Sequence, residues 1–290
     1  MNDVAATSSQ HESALAIGPA GGWHAKLALG FLRRDDRTVL AKREHTGPLL
    51  VQKALHPEGG GVCQAIVVHP PGGIAGGDRL AIAVEVGARA HAQMTTPGAA
   101  KWYRSAGPVA QQTLDARVAE DAILEWLPQE AIVFDGARAA MATTITLAAN
   151  ATFIGWDVVC LGRTHAGERF GTGALTQSLQ ISRDGILLRC DRMALHGGSR
   201  ALQSGAILNG APVFGTMVAV GDIGDDALAS CQRVSCDDGE GAVTLVPHVL
   251  VARYRGGSAP AARTYFASLW RVLRPALAGR AAMTPRIWST

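Results

Sequence analysis

From Trp23 onward the chain alternates in short runs bounded by Gly, Pro, Asn or Asp, the pattern of strands joined by turns. Leu80, Ile82, Val84 and Val86 share one parity while Arg79, Ala81, Ala83 and Glu85 share the other, which predicts a strand buried on one face. Similar runs predict strands over 62–69, 89–95, 122–127, 131–134, 140–147, 152–161, 175–182 and 185–192. The runs VVHP and DVVCLG are nearly all apolar, as in strands covered on both faces. Many strands at short, fairly even spacing argue for an all-β sandwich, a barrel or an irregular solenoid, and no fixed-period repeat supports a regular array.

Helix is scarce. The segment RTYFASLWRVLRPALAG places Tyr265, Leu269, Val272, Leu273 and Ala276 at helical spacing, with Pro275 expected to kink or end the helix. A second short helix is predicted over 225–232, where Asp225 and Asp226 suit a helix N-terminus. Residues 1–21 are polar, small and aperiodic and read as a flexible leader ahead of one folded unit, 22–290.

Composition narrows the class. The chain is 48% hydrophobic and 18% charged, enough apolar surface for a packed core, so a disordered chain is excluded. Twenty-seven basic against 24 acidic side chains give a net charge of only +3, and aromatics are 5%, so neither a basic footprint nor a base-stacking surface supports nucleic-acid binding. Thirty-four glycines, far above the usual ~7% of a chain, predict many tight turns. No apolar run is long enough to span a bilayer, and the first residues lack a basic start and apolar core, so a cytoplasmic location is expected. Five cysteines, an odd number, read as reduced thiols.

Candidate chemistry concentrates in loops. His69-Pro-Pro-Gly-Gly-Ile-Ala-Gly-Gly-Asp78 joins two strand patterns; its prolines fix φ and its glycine pairs permit positive φ or close backbone approach. It matches no nucleotide-binding pattern, and Asp78 is equally read as a cap of the connection. Thr95–Arg104 carries a cationic and aromatic patch, Lys101, Tyr103 and Arg104, suited to an acidic partner or to a solvated rim. Glu130 and Asp135 lie near strand ends, and His165 and Glu168 sit between two strands, where a metal or an arginine is the alternative partner. Asp157 and Asp191 each interrupt an apolar strand, so inward-facing carboxylates there need partners or water. No CxxC, HExxH or GxSxG pattern occurs, and the nine histidines are scattered.

Taken together, HPPGGIAGGD, TTPGAAKWYR, WLPQEAIVFDGAR, GRTHAGERF and RPALAGRAAMTPRIW, in this order, resemble the urease accessory protein family UreD, called UreH in some bacteria. The resemblance runs from about Trp23 to Trp288. It implies a mainly β fold of stacked, somewhat helical-path sheets with a few short helices, one near the C-terminus, in a single UreD-like domain over 22–290. It also implies a non-enzymatic scaffold that binds UreF and the urease apoprotein, recruits the GTPase UreG through UreF, and holds no cofactor tightly but passes nickel in transit through an internal tunnel. By position in the matching motifs, Asp78, Asp157 and Asp191 are candidate tunnel carboxylates, with Glu130 and Glu168 behind them; the alternative is that each caps a turn or pairs with arginine. Trp270, Arg274, Arg286 and Trp288 are expected near a partner interface, the alternative being that both tryptophans pack in the core. Ala100 and Gly155 depart from the polar or acidic residues expected at those places. A competing reading is a metal-dependent hydrolase with Asp78, His165 and Glu168 as ligands.

Overall fold

Period-two alternation builds almost the whole chain from His24 on. The computed structural model describes residues 21–289, so the expected leader lies, but for Gly21, outside the described residues. The chain runs β1 (His24–Arg34), β2 (Arg37–Thr46), β3 (Leu50–Leu55), β4 (Cys63–Val68), β5 (Gly73–Ile74), β6 (Arg79–Val86), β7 (His91–Thr95), β8 (Ala100–Trp102) and β9 (Ala110–Val118). It continues through β10 (Ile123–Leu127), β11 (Ala131–Val133), β12 (Arg138–Leu147), β13 (Thr152–Leu161), β14 (Ala174–Arg183) and β15 (Ile186–His196). Helix α1 (Arg200–Gln203), β16 (Val213–Val220), α2 (Asp225–Gln232), β17 (Glu240–Val246), β18 (Val249–Gly256) and α3 (Ala259–Ala278) complete it. The strands expected from alternation are present, and α2 falls where the paired aspartates place it.

The strands divide between two sheets. One has seven strands in the order β15-β14-β12-β9-β6-β1-β2; the main path of the other, 11-stranded sheet is β17-β18-β16-β13-β10-β7-β4-β3. In the middle of each, neighbours run parallel: β1, β6, β9, β12 and β14 in the first, and β4, β7, β10 and β13 in the second. Parallel neighbours need a long crossover. Here the crossover from one strand to its neighbour is a strand of the opposite sheet, so the chain winds as an irregular solenoid of flattened coils. The short strands β5, β8 and β11 pair in parallel and form a narrow third side.

Successive coils are joined by four-residue turns, with the positive φ on the third residue of the first two and on the second residue of the last. Ala90, Ala122 and Ala151 donate their backbone N–H to Gly87, Ala119 and Ala148 at 3.0, 3.1 and 2.8 Å. Arg89, Asp121 and Ala149 adopt positive φ of 59°, 55° and 34°. The turns stack on one another, as Ile123 N–H to Ala90 O and Thr152 N–H to Ala122 O, both 2.9 Å, record.

Two apolar layers follow from this plan. The inward faces of both sheets meet in one, with Leu27, Phe31, Ile82, Leu124 and Phe153. The outer face of the 11-stranded sheet meets α3 in the other, with Trp156, Met217, Phe266, Leu269 and Leu273. Ser258 caps α3, its Oγ accepting the Ala261 N–H at 3.2 Å, and Gly279 ends it at φ 61°. Of the two expected effects of Pro275, ending the helix does not occur: α3 runs on to Ala278, with Pro275 exposed in its last turn. The five cysteines are free. No helix among the described residues is long and apolar enough to cross a membrane.

Candidate functional site

Asp157 is turned inward by its strand. Trp156 and Val158 on either side of it in β13 belong to the α3 layer, so strand alternation sends the Asp157 carboxylate into the space between the two sheets. Two cavities meet there. One, of about 400 Å³, is lined by His69, Trp102, Trp126, Gln129, Asp157 and Gln177 among others. The other, of about 560 Å³, includes Asp157, Gln177, Asp191, Thr216 and Arg253. Asp157 and Gln177 thus form a wall common to both. Burial pushes the Asp157 carboxyl up to about 6 and the charge of Asp191 adds to this, against opposing contributions from Gln177, Arg253 and the Thr216 backbone. Its Oδ1 has no hydrogen-bond partner among the described residues, nor have Nε2 of His69 and Nε1 of Trp102. Three unpartnered polar atoms on residues lining one cavity are the chemistry of a hydrated interior.

Of the other expected carboxylates, only Asp191 adjoins this junction, paired with Arg189 at 2.7 Å and Arg253 at 2.9 Å. Asp78 accepts the N–H groups of Trp23 and Ala75 at 2.8 and 2.7 Å and fixes the glycine-rich loop. That loop uses its glycines for close approach: a Cβ on Gly73 would lie 2.1 Å from the Tyr103 ring. Glu130 pairs with Arg263 of α3 at 3.1 Å. Glu168 binds Arg163 at 2.5 Å and accepts the Asp135 N–H at 2.6 Å, which with Arg163 holds its carboxyl below the ordinary value despite desolvation. No three His, Cys, Asp or Glu side chains converge as a metal cage among the described residues, so Asp78, His165 and Glu168 do not form the ligand set of a hydrolase.

The expected partner residues divide into two groups. Lys101, Tyr103 and Arg104 are exposed. Tyr103 packs edge-on against Phe134 with ring centroids 5.2 Å apart, Arg163 lies 4.8 Å over the same ring, and Arg104 pairs with Asp135 at 3.1 Å, so three of the sequence motifs converge on one cationic and aromatic surface. Arg286 is exposed as well, whereas Trp270 and Arg274 are completely buried and Trp288 is half-buried. Trp288 packs between Trp156 and Trp270 and donates its indole N–H to Thr95 at 2.8 Å.

The largest buried polar network among the described residues holds Trp270 and Arg274 but is centred on a residue the sequence reading did not single out. Glu125 of β10 faces α3 and accepts from His91 at 2.5 Å, Trp270 at 2.7 Å, Arg274 at 2.9 Å and Gln93 at 3.3 Å. Arg274 in turn forks onto Glu58 at 2.6 and 2.9 Å and donates to the Ala281 carbonyl. The signal was available: Glu125 interrupts the apolar run AILEWL as Asp157 interrupts its own strand. The network locks the C-terminal helix to the sheet that walls the cavities.

The family model described as UreD urease accessory protein matches residues 24–289. The chain is 52% identical over 273 residues to the urease accessory protein UreD of Dechloromonas aromatica, covering 92% of this chain and 95% of that one. It is 52% identical over 270 residues to the UreD of an Azoarcus species, covering 93% and 95%. It is 51% identical over 277 residues to that of Pseudomonas aeruginosa, covering 95% and 98%. An irregular two-sheet solenoid closed by a C-terminal helix, with a match over nearly its whole described length, places this chain in the UreD family of urease accessory proteins.

Proposed function

We propose that this chain is a nickel-delivery scaffold: it binds UreF and apo-urease, recruits the GTPase UreG through UreF, and passes nickel through its interior towards urease. Family membership gives the coarser role, an accessory protein of urease maturation and not an enzyme. The observation that supports the finer one is the junction at Asp157, where two cavities share a wall carrying a carboxylate oxygen without a protein partner. Transit requires sites strong enough to admit an ion and weak enough to release it. A single unpartnered carboxylate oxygen in a hydrated interior meets that requirement, whereas a closed tetrahedral cage would trap the ion. The exposed Lys101–Tyr103–Arg104 surface and Arg286 are the proposed contacts for an acidic face of a partner.

The test is to co-express apo-urease with UreF, UreG and the remaining accessory proteins, with and without this chain, and to measure nickel per active site and urea hydrolysis together. Loss of both without the chain is expected. Full loading without it would overturn the proposal. Asp157→Asn in an assembled complex separates a conduit from a bridge that only holds urease open, because a bridge is indifferent to that carboxylate.

A further inference from the structure

We infer that His69 is a cation ligand of the interior cavity and the residue that makes its cargo route selective for borderline transition metals over magnesium and calcium. The inference rests on the nickel reading above and adds to it a site and a selectivity. His69 follows β4 directly and begins a turn closed by the Gly72 N–H on its own carbonyl at 2.9 Å. Pro70 and Pro71 stiffen the next two backbone positions, so the imidazole projects from a fixed anchor. The residue lines the 400 Å³ cavity, and its Nε2 is buried with no partner among the described residues. A ring nitrogen left unpaired in a folded interior calls for a reason to be there.

A metal binds the lone pair of a neutral imidazole, and no protein group among the described residues competes for Nε2 of His69. Carboxylate, amide and hydroxyl oxygens alone, as offered by Asp157, Gln177 and Thr143, suit magnesium and calcium as well as nickel. Magnesium takes oxygen ligands and keeps its waters, whereas imidazole suits nickel. One acceptor nitrogen added to these few oxygens is therefore enough to bias which hydrated cation dwells there.

His69 and Asp157 do not share an ion. Two strands, β7 and β10, lie between β4 and β13 in the sheet, so three inter-strand steps, about 14 Å in all, separate the strand that leads to His69 from the strand that carries Asp157. They are successive one-ligand stations in a cavity with room for about a dozen waters. Neither station alone holds an ion tightly, which keeps the path conductive.

The experiment labels the histidine rings of the full chain with ¹³C and ¹⁵N and titrates Co²⁺ as a paramagnetic probe, His69 being assigned by the signal missing from His69→Gln. Selective shift or broadening of the His69 ring, retained in Asp157→Asn and undiminished by millimolar Mg²⁺, is the expected result. His69→Gln and His69→Ala are expected to lower the Ni²⁺ to Mg²⁺ affinity ratio of the chain by at least about tenfold, the lower bound for loss of even an indirect metal contact. An unperturbed His69 ring when exposed histidines already respond, or an unchanged ratio in both variants, overturns the inference. If neither variant folds, the wild-type ring signals decide alone, assigned by through-bond correlation. A chain that urease loading requires, but whose His69 ignores Co²⁺, leaves the nickel reading standing and removes only His69. A chain that loading does not require removes the nickel reading itself, whatever His69 binds.

Discussion

Arg274 Nε lies 2.9 Å from Glu125 Oε1 with neither side chain exposed, although 149 residues separate them in the chain. The same guanidinium binds Glu58, so one cation compensates two acids taken out of water. Replacing Arg274 by Met leaves both carboxylates buried without it and is expected to cost about 3–5 kcal/mol. Arg271, exposed on the same helix, is the control, with Arg271→Ala expected to stay within about 0.5 kcal/mol. Denaturant unfolding of the two variants decides; equal stabilities would mean that the buried pair contributes nothing.

Acid should open the same cluster. Burial alone would raise the Glu125 carboxyl, but the His91 contact and the charge of Arg274 outweigh it and hold the group below its ordinary value of 4.5. A carboxylate depressed in the folded state contributes stability that is fully present above that ordinary value and is lost as pH falls through the folded one. Unfolding followed between pH 6 and 3 should therefore show the wild type losing stability at the acid end more steeply than Glu125→Gln, which starts lower and changes less. Parallel curves would contradict this.

Asp157 carries the opposite sign. Its carboxyl is raised from 3.8 to about 6, so between those values the folded chain keeps a proton that the unfolded chain has released. Stability falls as pH rises through that window, and the deficit near pH 7 is on the order of 3 kcal/mol. Asp157→Asn is expected to be more stable than wild type at pH 7.5, with the difference gone below pH 4, while nickel reaching urease falls. A variant no more stable at pH 7.5 would refute the raised carboxyl.

Gly155 makes room that no other residue can use. A Cβ there would lie 2.5 Å from the Phe153 ring and 3.1 Å from the Trp126 carbonyl. Gly155→Ala is expected to lower stability by about 1–3 kcal/mol through overpacking, read as a drop in melting temperature. The same crowding leaves no room for an acid at position 155.

The strands were legible where alternation was clean, as in β6, or where a short apolar run was bounded by turn residues, as in β4, β10 and β13. In β9 the buried positions include Ala110 and Ala116, and β2 is exposed over most of its length, so alternation there is faint. The coil was hidden for a different reason. Val86-Gly-Ala-Arg-Ala90, Val118-Ala-Glu-Asp-Ala122 and Leu147-Ala-Ala-Asn-Ala151 occupy equivalent corners of successive coils, but segments of unequal length between them remove any fixed period. Asp157 was legible because a carboxylate in an apolar strand must have a reason. Glu125 obeys the same rule, yet its partner Arg274 comes from a helix whose docking no local pattern encodes. His69 stood in plain view inside a loop motif, and only the cavity behind it shows which way its ring matters.

The clamp on Glu125 also sets an order of events during synthesis. Glu58, His91 and Glu125 are made long before Arg274 and Trp270, so the sheet that walls the cavities emerges from the ribosome with its acids uncompensated and its outer apolar face bare. The nascent chain cannot finish closing that layer until its last helix arrives. Loss of a few C-terminal residues upstream of Gly279 would therefore act on the whole sheet, and a truncated translation product would be a substrate for chaperones and proteases rather than a smaller working scaffold.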